Sequence, residues 1–193
     1  MNIREIAPEL WYWTAPHPAW RSGFDWPEQV GCVYYGSPEG VVLIDPLVTD
    51  EIWPILDERI ARSEKPACIL LTAPWHERSA PIVADRYGAR IWRPGSAEPL
   101  PPGVEVFQPA GVDERQVAFF LPAHRTLVVA EFFLGENGSL RVLPSPALTD
   151  RSTFDASLRR LLDLPVEHVL VSHGEPVLGD GSRKIAEALH AHA

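Results

Sequence analysis

Apolar and polar residues follow each other along the chain in a pattern that predicts both strands and helices. Short runs rich in aromatic and β-branched residues predict strands at residues 10–15, 30–37, 40–47, 67–72, 89–94, 104–110, 116–122, 125–133 and 167–172. Apolar residues at helical spacing predict helices at residues 50–64, 79–88, 152–164 and 182–192. The turn sequence SPEG joins the second and third of these strands into a hairpin.

The order of these elements predicts an α/β fold. Strands that follow one another directly occur together with strand–helix units, which favours mixed sheets with helices outside them. Neither a repeat nor a convincing linker divides the sequence, so residues 1–193 are expected to form a single domain.

Several residues are predicted to begin or end these helices. Asp50 is expected to cap the helix at 50–64, and Ser79 the helix at 79–88, which Gly88 ends. Ser152 and Asp155 have the spacing of a capping box for the third helix, with Asp in place of the usual Glu or Gln.

Composition and charge narrow the class of protein. Among the 193 residues, 46% are hydrophobic and 22% are charged, as in an ordinary globular protein. The net charge of −9 argues against nucleic acid or an anionic membrane surface as a partner, because phosphate binding needs a basic patch. The sequence shows neither a run of about 18 apolar residues nor a secretory leader, so a cytoplasmic protein is expected. A homodimer is compatible with this composition.

The two cysteines are expected to be structural. Cys32 and Cys68 both lie inside apolar, strand-like runs. Two cysteines make no disulfide framework, and buried thiols are the simpler interpretation.

Polar side chains lie near the carboxyl ends of several of the predicted strands. They are Asp45, His76, Glu77, Glu131 and His173. If the sheets bring these strand ends together, the result is a cluster of two histidines and three carboxylates. Such a cluster could bind a divalent metal or carry out acid–base chemistry.

Four segments in this order resemble the metallo-β-lactamase superfamily. They are VVLIDP, ILLTAPWHERSAP, TLVVAEFF and VLVSHGEP, at residues 41–46, 69–81, 126–133 and 169–176. The resemblance implies a four-layer αββα sandwich of two mixed β-sheets flanked by helices. It also implies a site at one edge of the sheets, with Asp45 ordering the neighbouring loops.

The metal motif of that family is degenerate in this sequence. With Thr72 aligned, the resemblance assigns Ala73, Trp75 and Arg78 to histidine positions and Glu77 to the aspartate position. None of the three replacements can bind a cation, because Ala73 lacks a donor atom, Trp75 offers only an N–H and Arg78 carries a positive charge.

The remaining ligands that the resemblance implies are only partly retained. A separate histidine expected near residues 111–115 is missing, and Glu131 replaces the bridging aspartate. Only His173 is kept outright. We therefore expect no cofactor, although zinc is the norm of the family. An alternative is a single nonstandard metal on Glu77, Glu131 and His173, with His76 as a further ligand if it turns inward.

Arg78 is expected to replace the charge of the metal. Buried carboxylates without a cation would be costly, so Arg78 is predicted to pair with Glu131, with Glu77 or with both. The candidate catalytic residues are His76, Glu77, Arg78 and His173. His76 is either a general base or a half-exposed histidine in a turn, and His173 is either functional or a hydrogen-bonding strut.

The long aromatic loop at residues 16–28 supplies candidate ligand-binding residues. The resemblance places it over the site, so His17 and Trp20 are expected to contact a ligand, together with Trp75 and Glu131. The alternative is that the tryptophans simply fill the core.

Two functions of different classes fit these observations. The first is a hydrolase-like enzyme, metal-independent, that acts on or binds a small molecule. The second is a non-catalytic ligand-binding or scaffold protein, in which a pair formed by Arg78 and a carboxylate plugs the former site.

Overall fold

The structure is a computed structural model that describes residues 2–143 and 148–192. The chain forms two compact units, of which the first ends at Gly103 and the second begins at Val104. None of the helices described is long and apolar enough to cross a membrane.

The first unit is built on six strands joined side by side in sequence order. They are β1 (Asn2–Ala7), β2 (Leu10–Pro16), β3 (Gln29–Ser37), β4 (Gly40–Ile44), β5 (Ala67–Leu70) and β6 (Arg90–Trp92). The pairs from β1 to β4 are antiparallel, and the pairs β4–β5 and β5–β6 are parallel. The predicted hairpin is confirmed, because Ser37 of β3 pairs with Gly40 of β4.

Helices connect the parallel strands of this unit. Helix α1 (Trp53–Ser63) follows β4, and a 3₁₀ turn (Pro74–His76) with helix α2 (Ala80–Tyr87) follows β5. The strands and helices bury a core in which Trp13 is 1% exposed and donates its Nε1–H to the carbonyl of Leu47 at 2.9 Å. Cys32 and Cys68 are buried and make no disulfide, as the sequence predicts.

The second unit also combines a sheet with helices. Its strands are β7 (Glu105–Phe107), β8 (Ala118–Leu121), β9 (Thr126–Glu136), β10 (Ser139–Val142), β11 (His168–Gly174) and β12 (Val177–Leu178). Strand β9 pairs in parallel with β11 and antiparallel with β8 and β10, while β7 pairs with β8 and β12 with β11. Helices α3 (Arg151–Arg159) and α4 (Gly181–His192) pack on a core that includes Phe132, Phe154 and Ile185.

The α/β class, with mixed strand pairing and flanking helices, is therefore confirmed. The pattern of apolar residues does not predict β1, β10 or β12. Strand β12 has only two residues, and the other two carry several polar residues, so none makes a long apolar run.

The predicted start of the first helix is wrong. Helix α1 begins at Trp53, and Ile52 at its N-cap position makes no side-chain cap. The preceding turn uses a backbone acceptor instead, since the carbonyl of Thr49 accepts from the N–H groups of Ile52 and Trp53 at 3.0 and 3.3 Å. Asp50 therefore does not cap the helix.

The second helix ends as the sequence predicts but begins without the expected cap bond. Gly88 adopts the left-handed conformation directly after α2, with φ of 61°. Ser79 occupies the N-cap position, but its Oγ accepts from the backbone N–H of Val48 at 3.0 Å. This hydroxyl ties the segment after β4 to the start of α2.

The capping box predicted for the third helix is also wrong. Asp150 is the N-cap of α3, and its carboxylate accepts from the N–H groups of Ser152 and Thr153 at 3.0 and 3.2 Å. Asp155 instead pairs with Arg151 one turn earlier, at 2.9 Å.

Candidate functional site

Asp45 lies immediately after β4 and collects hydrogen bonds from the segment after β5. Its Oδ1 accepts from the backbone N–H of Thr72 at 2.9 Å, and its Oδ2 accepts a short hydrogen bond from the hydroxyl of Thr72. Because β4 and β5 pair in parallel up to Ile44 and Leu70, their carboxyl ends are neighbours. Asp45 is buried and has a left-handed backbone with φ of 48°.

His76 completes this hydrogen-bonded group. It ends the 3₁₀ turn after β5, and its Nδ1 lies 2.9 Å from Oδ2 of Asp45 and 2.9 Å from the hydroxyl of Thr72. The residue is only 3% exposed, so the interpretation as a half-exposed turn histidine is wrong. A carboxylate bound at one ring nitrogen fixes the orientation of an imidazole.

The charges around Asp45 keep its carboxyl group ionised. Burial alone would raise the pKa of Asp45, but the attraction and hydrogen bond of His76, the charge of Arg78 and the hydrogen bond of Thr72 outweigh burial and lower it. The buried group therefore combines a carboxylate, a hydroxyl and an imidazole.

Arg78 holds the backbone around this group. Its Nη1 donates to the carbonyls of Gly31 and Asp45 at 2.8 and 2.9 Å and lies 3.7 Å from the Sγ of Cys32. The same Sγ accepts from the N–H of Leu47 at 3.2 Å. The guanidinium thus links the middle of β3 to the end of β4.

The other residues of the segment after β5 differ in burial and in partners. Ala73 is fully buried, whereas Trp75 is 44% exposed. Glu77 forms an ion pair with Arg93 at 2.5 Å, and both side chains are about half exposed. Glu77 is therefore not the partner of Arg78, because its carboxylate lies at the surface with another arginine, and the alternative pairing of Arg78 with Glu131 stays a prediction.

The loop after β2 contains an aromatic cluster. The rings of His17 and Trp26 meet edge to face at 5.4 Å, and Phe24 stacks on Trp26 at 5.3 Å. Trp20 donates its Nε1–H to the carbonyl of Trp26 at 2.9 Å. His17, Trp20 and Trp26 are half-buried, so within the loop they pack on each other.

The second unit carries another carboxylate–histidine pair, Glu131 and His173. Oε1 of Glu131 lies 3.3 Å from Nε2 of His173, with side chains that are 17% and 6% exposed. Strands β9 and β11 pair regularly up to Val129 and Val171 and again from Leu134 and His173.

A bulge in β9 therefore presents Glu131. Four residues of β9, 130–133, stand opposite the single residue Ser172 of β11. The bulge re-aims side chains that a regular strand would alternate between the two faces. Two glycines allow the close approach beyond it, since a Cβ on Gly135 would lie 1.7 Å from the carbonyl oxygen of Glu175 and one on Gly174 would lie 2.0 Å from that of Gly135.

Each unit thus brings some of the predicted residues together. In the first unit Asp45, His76 and Arg78 share one group of contacts, and Glu77 lies outside it. The ring of Trp75 meets that of His76 edge to face, with centroids 6.4 Å apart. Sequence reasoning missed Thr72, which bonds both Asp45 and His76. The available signal was its place two residues after β5, close to the position that Asp45 takes after β4.

The segment after β5 offers few donor atoms for the zinc that the family resemblance implies. Ala73 and Trp75 offer no lone pair for a cation, and Arg78 is committed to backbone carbonyls. Glu77 is the one motif residue of this segment with suitable oxygens, and it pairs with Arg93. Zinc sites are normally built from three or four thiolate, imidazole or carboxylate ligands.

Comparison with known proteins identifies the fold through structure. No family model matches the sequence, and no curated protein matches it. A metallo-beta-lactamase from Erythrobacter litoralis superposes with a TM-score of 0.71 at 16% identity, over 97% of this chain and 93% of that one.

Two further solved structures agree. The DIM-1 metallo-beta-lactamase gives a TM-score of 0.70 at 14% identity, over 100% of this chain and 97% of that one. An archaeal metallo-beta-lactamase superfamily protein from Sulfolobus tokodaii gives 0.65 at 16% identity, over 93% and 85%. The chain has the metallo-β-lactamase fold that its sequence resemblance implied.

Proposed function

We propose that this protein is a hydrolase-like enzyme that acts on a small molecule without the dinuclear zinc centre that the family resemblance implies. The observation that carries the proposal is the buried contact of 2.9 Å between Oδ2 of Asp45 and Nδ1 of His76. A histidine oriented by a buried carboxylate is the arrangement that general-base catalysis uses.

In this proposal the Asp45–His76 pair moves a proton. Asp45 holds Nδ1 of His76, so that Nε2 accepts a proton from the attacking water while the water oxygen bonds to the substrate carbonyl carbon and the carbonyl π electrons move onto its oxygen. As the tetrahedral intermediate collapses, the C=O bond re-forms, the bond to the leaving group breaks, and Nε2 returns the proton to that group. The carboxylate stabilises the positive charge that the ring gains in that step and does not itself become protonated. Thr72 fixes the same carboxylate through two hydrogen bonds.

The Glu131–His173 pair is a second candidate for acid–base work. Like the first pair, it joins a carboxylate to an imidazole. Oε1 of Glu131 and Nε2 of His173 lie 3.3 Å apart, and both side chains are largely buried. Arg78 and Glu77 are better assigned to structure, because Arg78 donates to two backbone carbonyls and Glu77 pairs with Arg93 at the surface. Trp75, His17 and Trp20 remain candidates for contact with the ligand.

Absence of the dinuclear zinc centre is part of the proposal. It is supported by the donor atoms at positions 73, 75 and 78, which do not suit a cation. Metal analysis of the purified protein checks this directly. We expect well under one zinc ion per chain and a hydrolytic rate that is unchanged by a chelator, and about two zinc ions per chain would overturn this part.

The catalytic part is tested by substitution. The purified protein is assayed against nitrophenyl esters, thioesters, lactones, β-lactams and phosphodiesters, and the best substrate is kept. We expect His76→Asn to reduce kcat/KM about 10²-fold or more, because it removes the base. The matched control is His190→Asn, which changes an exposed histidine near the end of α4 and should leave the rate unchanged. Equal rates for both variants and the natural protein would contradict the proposal.

The second candidate function is a non-catalytic ligand-binding or scaffold protein. It is favoured by one observation, the commitment of Arg78 to the carbonyls of Gly31 and Asp45. Under this hypothesis Arg78→Gln lowers the melting temperature, and the natural protein hydrolyses none of the substrate classes above. Turnover that depends on His76 would exclude it.

A further inference from the structure

A cavity of about 290 Å³ lies in the first unit, beside the last turn of α1 and the β3–β4 hairpin. Side chains from α1 and the segment after it, Arg59, Arg62 and Lys65, line this cavity together with Glu9 and Tyr34. Gly40 also lines it, at the beginning of β4, whereas Asp45 follows the end of the same strand. The length of β4 therefore separates the cavity from Asp45 by about 16 Å.

The charge of the cavity is opposite to that of the whole chain. Three cationic side chains and one carboxylate line it, although the protein has a net charge of −9. Arg59, Arg62 and Lys65 follow each other at intervals of three residues, so they occupy neighbouring positions at the end of the helix. This local excess of positive charge attracts anions.

Arg59 is held in place without being neutralised. Its guanidinium lies 3.6 Å from the centre of the Trp11 ring and 5.7 Å from that of Tyr34. Within residues 2–143 and 148–192 it has no carboxylate or carbonyl acceptor. Stacking on an aromatic face leaves the N–H groups at the edge of a guanidinium available for hydrogen bonds in its own plane.

The two other cations are only partly engaged. Arg62 pairs with Glu58 on the surface of the helix, where their side chains are 72% and 68% exposed and water screens the pair. Lys65 gives one of its three N–H donors to the carbonyl of Pro38, at 2.8 Å. Each therefore keeps donors for a further acceptor.

The position of these cations at a helix end supplies a simpler explanation for two of them. Positive side chains near a helix C-terminus interact favourably with its dipole, which suits Arg62 and Lys65. It does not explain why Arg59 stacks on Trp11 and lines a cavity. A guanidinium that an aromatic ring orients is well suited to bind the oxygens of a phosphate or carboxylate.

We propose that this cavity is a second binding site, separate from the Asp45–His76 group, for the phosphate or carboxylate group of a small anionic molecule. Arg59 is its principal ligand, and Arg62 and Lys65 add charge and hydrogen bonds. Glu9 opposes binding through its negative charge, which limits the affinity of the site.

Isothermal titration calorimetry of the full chain at low salt tests this proposal. The probes are glycerol 3-phosphate and glycerate, with neutral glycerol as the matched control. We expect saturable binding of one or both anions at one site per chain and no binding of glycerol. The anion that binds more tightly identifies the preferred group, and failure of both anions to bind would overturn the proposal.

Three variants test whether the anion binds in this cavity. Arg59→Gln should weaken binding about tenfold or more, since it removes charged hydrogen bonds. Arg4→Gln makes the same charge change at an exposed position on β1 and should leave binding unchanged. Glu9→Gln should strengthen binding, because it removes the one carboxylate of the lining. Equal weakening by Arg59→Gln and Arg4→Gln, or weaker binding in Glu9→Gln with the fold intact by circular dichroism, would contradict the assignment.

Discussion

Nδ1 of His76 lies 2.9 Å from Oδ2 of Asp45, and both side chains are at most 5% exposed. Thr72 bonds the same carboxylate through its backbone N–H and its hydroxyl. The pair thus connects the end of β4 to the 3₁₀ turn that follows β5. Removal of this pair should lower both the stability of the protein and its activity.

Replacement of Asp45 by Asn should destabilise the protein by about 2 to 3 kcal/mol at neutral pH, because the buried groups of Thr72 and His76 lose a charged hydrogen-bond partner. The folded-state pKa of Asp45 is below its ordinary value, so the carboxylate stabilises the fold above about pH 4, and this contribution is lost as the pH falls through the folded pKa. Urea unfolding from pH 7 down to pH 3 checks both the size and the pH dependence.

Asp57→Asn is the matched control for that experiment. Asp57 accepts two hydrogen bonds from Arg86 and one from Tyr87 at the surface, where the side chains of Asp57 and Arg86 are 40% and 48% exposed, so its loss should cost about 1 kcal/mol. A cost for Asp45→Asn that does not exceed that of Asp57→Asn would mean that the buried pair is not stabilising.

Both thiols should be unreactive in the folded protein. Burial raises the pKa of Cys32 to about 11 against the opposing charge of Arg78, and burial also raises the pKa of Cys68. Since the thiolate is the reactive form, neither should react with Ellman's reagent at pH 8 until a denaturant is added. In the Cys32→Ser variant any reaction with the reagent comes from Cys68. A thiol that reacts as fast in the folded protein as in the unfolded protein would contradict the burial.

Gly135→Ala should be severely destabilising. Its Cβ would lie 1.7 Å from the carbonyl oxygen of Glu175, so strands β9 and β11 must move apart. We expect a loss on the order of 4 kcal/mol or failure to fold. Gly138→Ala is the control, because its position has open space and only a positive φ of 72°, which costs about 1 to 2 kcal/mol. Similar melting temperatures for the two variants would argue against the close approach.

Asp150→Ala should cost about 1 kcal/mol, because two backbone N–H groups at the start of α3 lose their acceptor. Ser152→Ala removes only a hydroxyl that donates to the same carboxylate, and it should cost less. Chemical unfolding of the two variants distinguishes this cap from the capping box that the sequence spacing predicts. A larger loss for Ser152→Ala would favour the capping box.

The overall architecture could be predicted because it depends on patterns repeated over many residues. The long apolar strands and the four helices follow from periodicity, and the family resemblance rests on segments in one order. The ends of elements depend on single hydrogen bonds. Asp50 and Asp150 are both suitable caps by type, yet Thr49 supplies a backbone acceptor in one case and Asp150 its side chain in the other.

In the candidate site, too, strand pairing could be predicted but single side-chain contacts could not. That Asp45 and the segment around His76 lie close together follows from the parallel pairing of β4 and β5. The partner of Glu77 could not be predicted, because Arg93 lies 16 residues further along the chain beyond β6. Charge alone made Arg78 an equally good partner, and only the direction of the side chains decides between them.

Because of the bulge in β9, the side chain at position 131 can change without disturbing the strand pairing on either side of it. The ladder with β11 is regular up to Val129 and resumes at Leu134, so the hydrogen bonds on either side do not depend on which side chain stands at position 131. Evolution or an engineer can therefore exchange the chemical group at that position at little cost to the sheet. An aspartate or a histidine at position 131 should therefore leave the pairing of β9 with β11 intact.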